Sequence, residues 1–324
     1  HMGELGNPHY LRPALVRRVV DLVKELGGKP FVTDTTTLYP LGRFTEKGYL
    51  ETAAYNGFTR ETVNAPVVIA DGAGYEAVLE RPARTVMGCQ LREVEVAGAV
   101  AEADCMVVLT HFKGHLLTGF GGALKNVGMG CVTKKSKSDQ HVVNRPILDE
   151  SLCTGCGKCV QSCVYGALKM KGGKPTMDLE KCVSCNMCRI TCPNEAWKLP
   201  EGSKEKLQVY VAHAASAVSR ALEGRVVYVN FIQDVTALCD CRPSGSPRVV
   251  EDIGVAASLD PVAVDKASMD LVDSSELLGE FRRFKGRRDV LGSIHSVDGT
   301  VQLRAAERVG LGVMKYEVVE VSFP

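Results

Sequence analysis

Apolar residues along this chain alternate between two spacings, one helical and one extended, almost from end to end. Leu15, Val16, Val19, Leu22, Val23 and Leu26 recur at helical spacing, and Gly27-Gly28 stops that run. Phe31-Val32-Thr33 then predicts a short strand entering Asp34. Val67-Val68-Ile69-Ala70 predicts a buried strand ending in Asp71-Gly72-Ala73-Gly74, and the run from Cys105 to Thr110 predicts another that enters His111. Leu207, Tyr210, Val211, Ala214, Ala215, Val218 and Leu222 mark an amphipathic helix closed by Gly224, with a strand over Val226-Val227-Tyr228-Val229 behind it. Near-continuous apolar strands are covered on both faces, as parallel strands are. The expected fold class is α/β, a mostly parallel sheet with helices on both faces.

The pattern is interrupted between Arg145-Pro146 and Leu199-Pro200 by a cysteine-rich stretch. Residues 148–201 are expected to be a small α+β insertion in one discontinuous α/β domain made of 1–147 and 202–324. The insertion repeats internally, since Leu152-Cys153 through Leu168 aligns with Lys181-Cys182 through Trp197 at an offset of 29 residues. Each half carries a four-cysteine run: Cys153, Cys156, Cys159 and Cys163, then Cys182, Cys185, Cys188 and Cys192. Two-residue gaps let three thiolates of one loop reach three corners of a cubane, and the fourth corner needs a distant ligand. This is the bacterial two-cluster ferredoxin spacing, in which the last cysteine of each run serves the other cluster. The expected sets are Cys153, Cys156, Cys159 and Cys192 for one [4Fe–4S] cluster, and Cys182, Cys185, Cys188 and Cys163 for the other. Lone Cys-x2-Cys pairs are often zinc sites, whereas two complete runs in tandem rarely are. Proline follows Cys192 but valine follows Cys163, which changes a turn and removes no ligand.

Two stretches outside the insertion carry candidate chemistry. From His111 to Gly130 the chain holds two histidines, His111 and His115, with Lys125 and six glycines in twenty residues. The stretch follows a strand, where open parallel sheets place their ligands. It lacks the Gly-Lys-Ser/Thr of a phosphate-binding loop and matches no dinucleotide fingerprint. His111, His115 and Lys125 are the candidate catalytic residues, and Gly119, Gly121, Gly122 and Asn126 the candidate cofactor-binding ones; the plain alternative is a glycine-rich bend with solvated side chains. The second stretch is Cys239-Asp240-Cys241. Residues two apart in extended chain face one side, so the thiols of Cys239 and Cys241 converge, either as a third metal site or as unreactive thiols in a turn. Asp260-Pro261 reads as a plain helix start, aspartate at N-cap and proline at N1.

Several of these residues together resemble the domain-of-unknown-function family 362. They are Gly3-Glu4-x-Gly6-Asn7, Gly27-Gly28-Lys29-Pro30 with Asp34, His111-x-Lys113-Gly114-His115, the Gly119–Gly130 run, Cys239-Asp240-Cys241 and Ser258-x-Asp260-Pro261-Val262-Ala263. The resemblance implies an iron–sulfur protein with an inserted ferredoxin module, and leaves the reaction open. It also implies a further strand ahead of Gly3; the opening His1-Met2 reads either as a cloning remnant or as native sequence continuing from such a strand. A shorter stretch is similar to the lactate racemase family, in which a histidine ahead of a Gly-Gly-x-Lys loop holds a nickel-pincer cofactor; His115 and Lys125 fit that likeness.

Composition narrows the function classes. A net charge of +1 gives no field for nucleic acid or anionic membrane. No apolar run reaches the roughly 18–20 residues of a membrane span. Thirteen cysteines, eight of them in cluster runs that need thiolates, point to a reducing cytoplasm and not to a disulfide framework. The expected function is a redox protein whose two [4Fe–4S] clusters relay electrons to or from a ligand or metal site on the α/β domain, with a redox partner protein or a small-molecule substrate and a further metal or small cofactor as the open questions. The alternative is a dedicated electron carrier without a catalytic site of its own.

Overall fold

A computed structural model describes residues 1–82 and 84–321. The predicted elements are present with their edges moved by a residue or two. The first helix, Pro13–Glu25, carries proline in its first turn and ends at Gly27, which has a positive φ of 85°. It buries Val16 and Val20, while Leu22 and Leu26 are exposed, so the apolar face is narrower than its sequence pattern. The long helix Ser203–Ala221 buries Leu207, Val211, Ala214, Ala215 and Val218, the last three within the main apolar core. It lies against the glycine-rich helix Ala123–Gly130 and against Thr300–Arg308. The approach to the first is close: a Cβ at Gly128 would come within 2.5 Å of the Val211 carbonyl oxygen. Any side chain there would force the two helices apart.

Strand pairing departs from the expected mostly parallel sheet. The molecule is mixed α/β, with several short sheets. Val32–Asp34 pairs parallel with Val67–Ile69, and Met106–His111 parallel with Val226–Ile232. The remaining ladders, including Gly254–Ser258 on the far side of Val226–Ile232, are antiparallel. Gly254–Ser258 alternates between half-buried and exposed positions, the mark of a strand with one open face. Apolar content shows that a strand is buried, but it does not name its neighbour. The two parallel pairs share one feature: each runs into ionisable side chains, Asp34 and, two residues past Ile69, Asp71 in the first pair, and His111 in the second. Among the described residues no helix is long and apolar enough to cross a membrane.

Between these elements, residues 147–198 form a small two-layer unit. Ile147–Leu148 pairs antiparallel with Trp197–Lys198, and Leu168–Lys171 with Lys174–Met177. One-turn helices, Lys158–Gln161 and Met187–Ile190, stand at equivalent places in the two halves. Its core is made of repeat-related residues: Cys159 with Cys188, and Leu168 with Trp197. The backbone repeats as well. Gly155 and Gly157 have positive φ, and their counterparts Ser184 and Asn186 adopt the same left-handed conformation, at φ 58° and 63°. Holding a serine and an asparagine there costs about 1 kcal/mol or more each relative to glycine. Tyr165 ties the unit to the rest of the chain, its Oη donating to the Leu38 carbonyl at 2.7 Å.

Candidate metal centres

The eight cysteines of the small unit line two small cavities, four cysteines to each. Membership is crossed. Cys153, Cys156 and Cys159 share a cavity with Cys192, while Cys182, Cys185 and Cys188 share the other with Cys163. Backbone amides point at sulfur in two places, Gly155 N–H to Cys153 Sγ at 3.4 Å and Ala196 N–H to Cys192 Sγ at 3.3 Å. The positive φ of Gly155 turns the first of these inward. In the second cavity the Ser184 hydroxyl is buried with no partner. Burial, reinforced by Cys185 and Cys182, pushes the Cys188 thiol up to about 12. Four thiols so packed call for positive charge among them.

The second candidate centre gathers where the 106–111 and 226–232 strands end. The chain continues from His111 through the short strand Lys113–His115, which is pressed against residues 236–237: Gly114 N–H donates to Thr236 O at 2.8 Å. A Cβ at Gly114 would lie 2.2 Å from the Ala237 carbonyl oxygen, so only glycine permits this approach. The approach sets His115 beside the Cys239-Asp240-Cys241 turn. One nitrogen of His115 and the sulfurs of Cys239 and Cys241 all lie within 4.8 Å of one another. The opening segment holds the turn from the other side, through Glu4 N–H to Asp240 O at 3.0 Å and the Asn7 amide to the carbonyls of Arg242 and Ser244.

Charge at this turn is arranged in layers. Asp240 is fully buried, with His111 Nδ1 at 3.2 Å and Lys113 Nζ at 3.4 Å from its two oxygens. Burial opposes its ionisation, but Lys113 and then His111 outweigh it and hold the carboxyl far below the usual range. The Cys241 thiol is held well below its ordinary value by a hydrogen bond from Cys239, with His115 and Lys125 adding to it. His115 falls to about 4 through burial and the charge of Lys125, so its imidazole is neutral near pH 7.

Not every expected site residue serves the site. His111 has its second nitrogen 3.1 Å from the carbonyls of Gln233 and Asp234, so both nitrogens are committed and the ring braces Asp240 instead of meeting a ligand. Asn126 donates its amide to Leu109 O and Thr110 Oγ1 and fastens helix to strand. Gly122 leads into a helix start already capped by Asp265, whose oxygens accept from Ala123 and Leu124 N–H, and a Cβ at Gly122 would strike that carboxylate. Gly119, at φ 75°, lets the chain pass Gly299 closely. These residues therefore serve packing. Gly121 alone borders the charged groups, a Cβ there lying 3.5 Å from Lys113 Cε and 3.6 Å from Lys125 Cδ. Asp260 caps the Pro261–Ser274 helix through Val262 and Ala263 N–H, as its sequence indicates.

Three participants were not singled out from sequence. Lys113 is two residues from both His111 and His115, and the period-two rule of a strand would have placed it with them. His141, at the end of the Lys134–His141 helix, has a buried Nδ1 with no partner among the described residues, and burial, then the charges of Lys125 and His115, push its imidazole down to about 3. Lys137 on the same helix is buried against Thr35 Oγ1 at 2.6 Å. Burial drives Lys137 down to about 8 against the pull of Asp34. Its folded value lies below its unfolded one, so the stability it costs at neutral pH is recovered as pH rises from about 8 towards 10.5. Relative to Lys137→Met, the unsubstituted chain is expected to gain roughly 3 kcal/mol across that window in denaturant titrations. Parallel pH profiles for the two proteins would show that the lysine is charged in both states.

A family model described as a domain of unknown function, DUF362, matches residues 1–270. No curated protein matches the chain. With most of its length inside that match, including the Cys239-Asp240-Cys241 turn and the glycine-rich helix, the chain belongs to the DUF362 family.

Proposed function

We propose that the chain is an iron–sulfur redox protein whose residues 147–198 form an inserted ferredoxin module passing electrons to or from the site at His115, Cys239 and Cys241. The observation that carries this reading is the crossed membership of the two cavities, each lined by three cysteines of one run and the last cysteine of the other. Zinc needs no such crossing, and a four-thiolate cubane in a tandem repeat does. The donor set fits two [4Fe–4S] clusters: eight thiols, inward backbone amides and the unpartnered Ser184 hydroxyl in one cavity. Bound there, such clusters supply one-electron transfer.

The protein's own residues do the rest. Amide and hydroxyl groups aimed at sulfur stabilise negative charge and so set the potential. Tyr165 lines the cavity of Cys163, Cys182, Cys185 and Cys188 and bonds to the Leu38 carbonyl. The next residue, Tyr39, donates its Oη to the Cys241 carbonyl at 3.4 Å. One cavity is thus joined to the thiolate turn by two hydrogen bonds and one peptide link. This connection, together with the buried charges around Cys241, favours an enzyme-like redox site over a carrier that only docks a partner.

Chain prepared without oxygen is expected to contain about eight irons and eight acid-labile sulfides, and to show on reduction the coupled magnetic signal of two neighbouring clusters. Stoichiometric zinc in place of iron, or a single cluster, would overturn the assignment.

A further inference from the structure

Tyr39 leads to a second centre whose occupant the cluster reading does not name. We propose that His115, Cys239 and Cys241 hold one thiophilic divalent metal ion of the zinc class, with a fourth position open to a small anionic ligand beside Lys125 and His141. Zinc itself takes no electron; that a ligand bound on it exchanges electrons with the clusters rests on the redox reading, and the coordination of the ion does not.

The geometry is nearly that of a formed site. Two thiolates and one imidazole on a tetrahedral zinc ion, with Zn–S near 2.3 Å and Zn–N near 2.0–2.1 Å, stand about 3.5–4 Å from one another. The three atoms here are within 4.8 Å, so closure onto an ion needs shifts of under about 1 Å. The histidine is already oriented for it. Thr118 Oγ1 gives its proton to Phe120 O at 2.7 Å and so accepts from His115 Nδ1–H at 2.9 Å, which leaves the Nε2 lone pair for the metal. Cysteines two apart converge because Cys241 N–H turns back to Cys239 Sγ at 3.4 Å.

The donor types decide the class of ion. Two sulfurs and an imidazole suit zinc and its neighbours, and exclude magnesium and calcium. Asp240 lies between the cysteines and, with His1 and Cys239, forms a second group of ligand atoms within 4.8 Å, but its two oxygens already face His111 and Lys113 at 3.2 and 3.4 Å, which favours the His115 group for the ion. Three ligands and no fourth is the pattern of zinc sites that keep a position for substrate.

The neighbourhood of the turn is cationic: a Cβ at Gly121 would lie 3.6 Å from Lys125 Cδ and 3.5 Å from Lys113 Cε, and Lys113 Nζ stands 3.4 Å from Asp240. Lys125 is half-buried, and its charge reaches both His115 and Cys241. His141, which feels the charges of Lys125, His115 and Cys241, has a buried Nδ1 with no partner among the described residues. A buried orphan nitrogen is costly unless a ligand completes it. A carboxylate with one oxygen on the metal and the other near Lys125 and His141 satisfies all three.

The test uses the full chain, purified and reconstituted without oxygen, then dialysed against Zn²⁺ alone. One zinc per chain is expected in addition to the iron, with about two sulfurs near 2.3 Å and one or two light atoms near 2.0 Å in its X-ray absorption spectrum. Cys241→Ser and His115→Ala should each lose the zinc while iron per chain stays constant. Zinc kept by both variants, zinc surrounded by four sulfurs, or a Cys239–Cys241 disulfide in the reduced preparation would overturn the proposal. The absorption measurement on unsubstituted protein decides the matter even where a variant fails to fold. Acetate is the probe for the open position: it should alter the zinc-edge spectrum of the unsubstituted chain and not, at equal concentration, that of Lys125→Met. No response, or an equal one, would remove the anion from this place. Missing iron with the zinc site intact would sink the redox reading alone.

Discussion

Serine in place of Cys192 should halve the iron content, and the cluster lost should be the one beside Cys153, Cys156 and Cys159. Cys192 lies in that cavity, away from the other cysteines of its own run. A serine oxygen is a poor ligand for a cubane iron, and a cubane that loses one corner thiolate in a partly open cavity is readily dismantled. Combined substitutions identify which cluster has gone. Adding Cys156→Ser to Cys192→Ser should cost almost no further iron, because both changes strike one cluster. Adding Cys185→Ser to Cys192→Ser should remove nearly all of it. The opposite pattern, with Cys192 and Cys185 behaving as partners, would assign each run its own cluster and refute the crossed arrangement.

Glu4→Ala should destabilise the chain by about 3–5 kcal/mol, a large part of an ordinary domain's stability. Glu4 and Arg43 are 1% and 2% exposed, and Arg43 Nε meets Glu4 Oε2 at 3.1 Å. The carboxylate also accepts from Gly42 N–H at 3.0 Å. Removing it strands a guanidinium in a closed space between the rings of Tyr39 and Tyr49, 5.8 and 5.5 Å away. Most of the loss is the cost of that unpaired charge, so Arg43→Met added to Glu4→Ala should restore a substantial share. Denaturant titration followed by far-ultraviolet circular dichroism measures both. A single-substitution loss under about 1 kcal/mol, or a double variant worse than the sum, would show that the pair is not buried in solution.

How much of this was legible beforehand depends on distance along the chain. The cysteine runs are local, so spacing alone carried both the internal repeat and the grouping of thiols. The convergence of His115 with Cys239 and Cys241 spans more than a hundred residues. What made it readable was that each stretch follows a buried strand, and strands of one direction deliver their ends to one side. The roles of His111 and His115 could not be separated from sequence, because which histidine meets a carboxylate is settled by Asp240. That residue meets His111 and Lys113 with its two oxygens while Cys239 Sγ also donates to it at 3.3 Å. Gly119 and Gly122 look like a ligand cradle in sequence and are packing glycines in space; a close approach of backbone to backbone and one of backbone to ligand call for the same residue. Strand partners were the least legible feature, since burial encodes no register.

The attachment of residues 147–198 has a consequence for timing. The strands that begin and end the segment, Ile147–Leu148 and Trp197–Lys198, pair with each other, and three side chains bond across its boundary: Tyr165 to Leu38 O, Arg145 to Cys182 O and Asn186 to Asn144 O. A carrier on a flexible tether must swing, dock and leave, so its turnover is gated by diffusion and responds to solvent viscosity. A segment secured at three places has no such cycle. On the redox function proposed above, delivery would be a fixed-distance event, and regulation would act on the driving force or on what occupies the thiolate turn, not on the meeting of two bodies.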